Sequence, residues 1–448
     1  MGHPKTHRRR SSLTMKKKTT ARRQFTEKTE EDVAFSQMIP AYAFDVFIDQ
    51  PDLGYACRRV LFRKGDDVML HSTWDETDDL WIGRINQIRT TSDRSNTLVK
   101  VQWYWSRNDI AKHVKSFDPS QCAPLERVLS DDYDYVSPYA FEKVVYVHEY
   151  DESALDPPML GPRDLFVRAA FLHRKKTIKP PLGSGTCRCE VAYNPFPCPV
   201  DTPLSRMTLC TNPQVGSIDP MHFCPSLQCR KWYHSSCLKS MTDQLDTLPT
   251  QTRGLRLLAV NPDEEIPFVT FEYFYEQESQ SDITHDRKVT LREALKMLDR
   301  SPDIIAHLPS SLIAIAQLPI VRCAGVAAGF AIGNVADVVL ARRFVYAAVQ
   351  NSGRPEDNPK FSALLTHQDA RMEKHHARGR ALFWPDSDDE EDEDVLGYLQ
   401  QLCEELDEFA LLASPRPEYW DQREAEYKAL EALFEGPDFL CPQCRSAI

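Results

Sequence analysis

No stretch of this 448-residue chain reaches the roughly 18 apolar, uncharged residues that a membrane span requires. Its start lacks the apolar core of a secretory signal. Nucleophile–base motifs, a phosphate-binding glycine loop and a catalytic zinc pattern with an open position are also missing. Past residue 30 there is no recognition helix with a basic stripe, so a DNA-reading domain ranks last among the function classes. Six of the 13 cysteines (Cys57, Cys122, Cys198, Cys210, Cys323 and Cys403) show no paired spacing, which suits a reducing compartment.

What is present is ordinary globular material, 42% hydrophobic and 10% aromatic, with length enough for roughly three domains. The net charge of -12 is unevenly spread. Arg8–Arg10, Lys16–Lys18 and Arg22–Arg23 make the start basic, and Asp386–Asp394 is a solid acidic run, so the local blocks say more about partners than the total. The basic start has almost nothing to bury. Residues 1–32 are expected to be a disordered tail serving nuclear import, and the one place where nucleic acid would be touched. The acidic run reads first as a solvated spacer.

From residue 55 to 176 the pattern is one of short strands and polar turns: Val60–Leu70 broken by Gly65-Asp66, then Leu80–Ile88, Leu98–Trp105, Val144–Val147 and Phe166–Phe171. Such a run predicts a partly open β-barrel. Thr177–Thr186, rich in Pro and Gly, predicts a short linker.

The next segment carries chemistry. Cys187, Cys189, Cys224, Cys229, His234 and Cys237 are followed at the far end by Cys441 and Cys444. Zinc takes four soft or borderline ligands in a tetrahedron, and closely spaced pairs supply two each. Four pairs make two closed sites. Disulfides and buried free thiols are the alternatives, and the spacing together with the missing signal argues against disulfides.

This order, four Cys, one His, three Cys, with Trp232 two residues before the His, resembles a PHD finger. In that family the pairs interleave. The resemblance implies one Zn2+ on Cys187, Cys189, His234 and Cys237, and a second on Cys224, Cys229, Cys441 and Cys444. The strand region resembles a BAH domain through Gly65-Asp66, Trp81–Ile85, Val101–Trp105, Leu125–Asp134 and Val144–Val147. It departs at Trp105-Ser-Arg-Asn108, where the family has Tyr-Arg-Pro-Glu, and at Asp132, where a His is usual. BAH followed directly by PHD is similar to a group of plant histone readers with the same Cys-x-Cys-Glu-x-x-Tyr-Asn-Pro start.

The expected architecture is therefore multidomain α+β. It comprises the tail (1–32), a mostly-β BAH barrel (55–176), a zinc-stabilised PHD finger (187–240), a mainly helical insert (245–437) and the finger's completion (438–448). The insert lies between ligand pairs, so its ends must meet in space. Within it, Thr290–Glu293 is a capping-box signature, Phe268–Tyr275 reads as a strand, Leu312–Leu318 is apolar up to Pro319, and Val395–Leu412 and Glu418–Phe434 have helical spacing.

The resemblance also implies sites. Electron-rich rings hold a methylammonium by cation–π contact at about 0.5–2 kcal/mol each. Tyr193, Met221 and Trp232 stand where related fingers place cage walls, and Trp81, Trp103 and Trp105 where methyl-lysine-reading BAH domains do. Trp103 and Trp105 are two apart and so share a strand face. The implied function is a non-catalytic nuclear reader of methylated lysine on the histone H3 tail that recruits chromatin-regulatory proteins through the insert, in gene repression. The alternative is a RING-like ubiquitin or SUMO ligase, against which the His stands fifth rather than fourth.

Overall fold

The structure, a computed structural model, describes residues 29–50, 55–71, 81–93, 95–161, 163–196, 219–242, 308–323, 331–350, 359–383, 415–428, 430, 439, 441–444 and 448. The basic clusters of the tail, Cys198, Cys210, Phe268–Tyr275, Thr290–Glu293, the acidic run and Val395–Leu412 lie outside those residues.

The tail expected over 1–32 runs one turn too far. The Thr29 hydroxyl accepts from the Asp32 amide at 3.1 Å, and the Asp32 carboxylate accepts from the Thr29 amide at 3.0 Å. This capping box satisfies amides that a helix start leaves orphaned and opens α1 (Glu30–Gln37). Phe35 then packs on Tyr135 with ring centroids 4.6 Å apart.

The β domain also begins earlier than residue 55. β1 (Ile39–Ala41) joins the main sheet, while β2 (Ala43–Gln50) and β3 (Tyr55–Arg63) form an antiparallel ribbon beside it. Gly65 at φ +97° turns β3 into β4 (Asp67–Leu70), and the Asp66 carboxylate accepts from the Arg63 amide at 2.7 Å. There follow β5 (Trp81–Thr90), β6 (Thr97–Trp105), α2 (Arg107–His113), β7 (Glu126–Val136), β8 (Phe141–Val145), β9 (Val147–Glu149) and β10 (Leu165–Leu172). Part of the expected linker is strand, since β11 (Thr177–Lys179) pairs antiparallel with β10. The sheet runs β11-β10-β7-β6-β5-β4-β8, with β1 on β5 and β9 on β10. Alternating apolar residues supply its core: Phe62, Val68, Ile85, Ile88, Val99, Val101 and Phe141 are buried together. Each such burial is worth about 1.5–3 kcal/mol.

The finger is a hairpin of β12 (Met221–Cys224) and β13 (Lys231–His234) followed by α3 (Ser235–Thr242). The described part of the insert is mostly helical: α4 (Ser310–Ala316), α5 (Val335–Gln350), α6 (Pro359–Phe383) and α7 (Pro417–Lys428). One element departs from that. β14 (Val321–Arg322) leaves the helices and pairs antiparallel with β12, making the finger's sheet three-stranded in the order β13-β12-β14.

Finger and insert share one core. Met221, Phe223, Trp232 and Leu238 of the finger are buried with Leu312, Ile315, Val338, Phe344 and Trp420 of the insert and with Phe439 and Ile448 of the C-terminal segment. A finger alone has little to bury, and this joint core supplies the missing apolar volume. At its edge Asp337, on α5, is buried against Arg423 at 2.8 Å and Arg371 at 3.1 Å, and also accepts from the Tyr419 and Tyr427 hydroxyls. Burial alone would raise the Asp337 carboxyl. Arg423 and Arg371 overcome that and hold it well below its ordinary value.

Candidate functional site

Two ligand clusters form, in the grouping that the resemblance implied. The ligand atoms of Cys187, Cys189, His234 and Cys237 all lie within 4.8 Å of one another, and so do those of Cys224, Cys229, Cys441 and Cys444. Local turns aim them. Glu190, at φ +56°, bends the chain after Cys189, and Arg230, at φ 44°, bends it after Cys229. The Phe439 and Ile448 backbones exchange hydrogen bonds at 3.2 and 2.8 Å, which closes the last segment into a loop that presents Cys441 and Cys444. Residues at positions 224 and 444 are thus joined across the insert, with their sulfurs 3.3 Å apart. Cys229 and Cys441 have theirs at 3.4 Å. These separations are far beyond a disulfide bond of about 2.05 Å, so the alternative of bonded pairs does not describe them. Burial lowers the His234 imidazole's pKa, which favours the neutral ring a metal needs. The Tyr233 hydroxyl approaches Cys229 at 3.3 Å and Cys441 at 3.8 Å, the kind of outer contact that orients thiolates. Two closed sets of four Cys or Cys and His donors, with no open position, fit structural zinc.

The predicted finger cage assembles around a cation that belongs to this chain. On a sheet, neighbours on one face lie opposite or two apart. Arg322 stands opposite Met221 in the β12–β14 register, and Trp232 stands opposite Phe223 on the other side. The Arg322 guanidinium carbon therefore sits 4.3 Å from the centroid of Trp232, and 3.9 Å from that of Tyr193. Its Nη2 lies 3.3 Å from the Met221 sulfur. Tyr193, Met221, Trp232 and Arg322 are all buried. The walls are pinned as well: the Trp232 indole donates to the Glu152 carbonyl at 2.8 Å, and the Tyr193 hydroxyl donates to the Ala331 carbonyl.

Glu152 ties this cage to the β domain. It pairs with Arg322 at 3.3 Å and with Arg168, whose Nε lies 2.6 Å from Glu126. Charges alternate along this buried row, Glu126–Arg168–Glu152–Arg322. Burial pushes both carboxyls up. At Glu152 the two flanking guanidiniums, Arg322 first, overcome burial and hold it below its ordinary value, whereas at Glu126 burial prevails and the carboxyl stays raised. Sequence reasoning missed Arg322, Glu152 and Arg168, and no local motif marks them.

In the β domain the three tryptophans divide. Gly83 stands opposite Trp103, so Trp81 is its diagonal neighbour on the same face. Their rings meet edge-to-face with centroids 5.4 Å apart at 84°. Trp81 remains 45% exposed, leaving one wall of the pair open to solvent. Gly83 is needed there, because a Cβ on it would come 2.2 Å from a methyl of Val101. Trp105 corrects the expectation of a three-ring cage. It packs instead beside Phe171 at 5.2 Å, His113 at 4.7 Å and His173 at 5.0 Å. Among the described residues no ring contact links Trp105 to Trp81 or Trp103. Trp103 packs against the cluster around Phe62, Ile85 and Val101, whereas Trp105, two residues further along β6, packs against the separate cluster around Ile110 and Phe171.

No protein-family model matches the chain. Over 183 residues it is 23% identical to the chromatin remodeling protein SHL of Arabidopsis thaliana, an alignment that covers 41% of this chain and 67% of that protein. Among solved structures, that of the yeast Rsc2 BAH domain aligns at 16% identity with a TM-score of 0.20, over 30% of this chain and 52% of that one. The second likeness is too slight to argue from. The sequence relative, the strand-rich domain and the two ligand clusters agree on a resemblance to BAH–PHD chromatin proteins. No described helix is long and apolar enough to cross a membrane.

Proposed function

We propose that this chain is a non-catalytic, nuclear chromatin reader that holds two structural Zn2+ ions and binds methylated lysine of the histone H3 tail through the BAH-like domain. The observation that carries the reading is the exposed Trp81 set edge-on to Trp103 on one sheet face. Two perpendicular indoles form a corner whose faces attract a methylammonium, which keeps its charge but sheds hydration. The similarity to a chromatin remodeling protein supports the same reading. Zinc on the two clusters would bind the finger to the chain's C-terminal segment and so hold the insert's ends together, leaving the helices free to recruit repressive partners. The finger's Tyr193, Met221 and Trp232 face inward onto Arg322 and have no open wall for a tail.

The test is binding of the full chain to a panel of H3 peptides that differ only in lysine methylation. The reading expects methyl-dependent retention that Trp103→Ala weakens and Trp105→Ala spares in the folded fraction. Retention indifferent to methylation, or to Trp103, refutes it.

A further inference from the structure

We propose that the finger's cation site is self-occupied: β14 of the insert docks as an added strand and delivers Arg322 as an internal ligand, closing the finger to any external methylammonium. Strand addition with one side chain seated in a ring-lined pocket is a general mode of peptide recognition. Every part of it is present within this one chain. The backbone contributes the β12–β14 pairing and the Phe223 amide donating to the Ile320 carbonyl at 2.8 Å. The side chain contributes a guanidinium over two rings at 3.9 and 4.3 Å with a thioether alongside. The insert braces the strand from behind, where the Asn334 side chain accepts from the Val321 amide at 2.8 Å and donates to the Pro319 carbonyl at 3.0 Å. Gly333, at φ +100°, makes that brace fit, since a Cβ on it would lie 2.5 Å from the Val321 carbonyl oxygen.

Two features mark Arg322 as a ligand rather than a fully locked structural residue. Its Nε is buried with no hydrogen-bond partner among the described residues. Although Nη1 reaches the Tyr150 hydroxyl at 3.5 Å and Nη2 the Glu152 carboxylate at 3.3 Å, the donor set is incomplete and the ring faces supply the rest of the hold. Its carboxylate partner, Glu152, keeps Arg168 when Arg322 is removed. A site filled by its own chain binds an outside ligand only in the fraction of molecules where it stands open. This inference does not rest on the Trp81–Trp103 reading.

The test uses the full chain carrying Trp81→Ala and Trp103→Ala, so that the β domain contributes nothing, and H3 tail peptides each bearing one trimethyl-lysine as probes. In that background Arg322→Ala is expected to raise affinity for at least one peptide by roughly tenfold or more as the occupied fraction is removed. Gly333→Ala, which dislodges β14 without touching the rings, should raise it in the same direction. A folded Arg322→Ala protein with both metals bound and no gain overturns the proposal. A second measurement decides if that variant does not fold. In the wild-type chain, NMR of the arginine side chains should show one guanidinium shifted strongly upfield by the Tyr193 and Trp232 ring currents. Its absence overturns the proposal equally.

Discussion

Replacing Asp337 by Asn should loosen the helix that supports β14. The substitution keeps shape and removes one charge from the middle of a buried group. Arg423 and Arg371 retain other partners, Glu426 and Asp156, but these are the more exposed ends of the network. Breaking a buried pair by removing one partner typically costs about 3–5 kcal/mol, because the remaining charge stays buried without compensation. Taking the lower end, because those second partners remain, gives about 3 kcal/mol, or roughly 150-fold in an opening equilibrium. Amide hydrogen exchange across α5 reads this directly, since local opening sets the exchange rate. Exchange at Val338–Phe344 accelerated by less than about fivefold would refute the assignment of Asp337 as the charge that holds the insert together. The pH dependence has a fixed sign. The folded carboxyl titrates below the unfolded value of about 3.9, so its stabilisation is complete above that pH and is lost as pH falls beneath it. Asp337→Asn should therefore flatten the acid limb of α5 exchange and leave the neutral region uniformly faster.

Elemental analysis should find two zinc ions per chain, and Cys237→Ser and Cys444→Ser should each reduce metal retention at one site only; a single ion in the wild type would break the two-cluster account. Trp103→Ala should weaken a methylated H3 peptide by about 2- to 30-fold, the worth of one ring, as read by calorimetry. Trp105→Ala should instead lower thermal stability, since that ring is packed on Phe171 and two histidines, with peptide affinity of the folded protein unchanged. Trp232→Ala, which empties a site buried in the joint core, should cost about 3–5 kcal/mol and melt the finger rather than merely silence it.

The ligand pairs were legible because closely spaced cysteines have narrow covalent reach, and the interleaved grouping that joins positions 224 and 444 came from the resemblance to PHD fingers. The existence of the strands in the β domain was legible from alternation and turn residues, though their order was not. Nor was Trp105, because alternation assigns a face and cannot foresee that two rings on one strand pack against separate core clusters. Thr29 and Asp32 carried a readable capping box, hidden by the charge of the residues before them. Arg322 had no signal at all. It lies in a two-residue strand whose pairing depends on contacts about a hundred positions away, and an isolated arginine beside valine gives no hint that two rings will close on it. The same holds for the row Glu126–Arg168–Glu152, whose members are brought together only by the tertiary fold.

The most direct test is a calorimetric titration of the zinc-loaded full chain with H3 tail peptides in unmodified and trimethylated forms. The account predicts binding of at least one trimethylated peptide, absent for its unmodified twin and abolished by combined Trp81→Ala and Trp103→Ala. Equal heats for both forms, or heats that survive loss of both indoles, would contradict it.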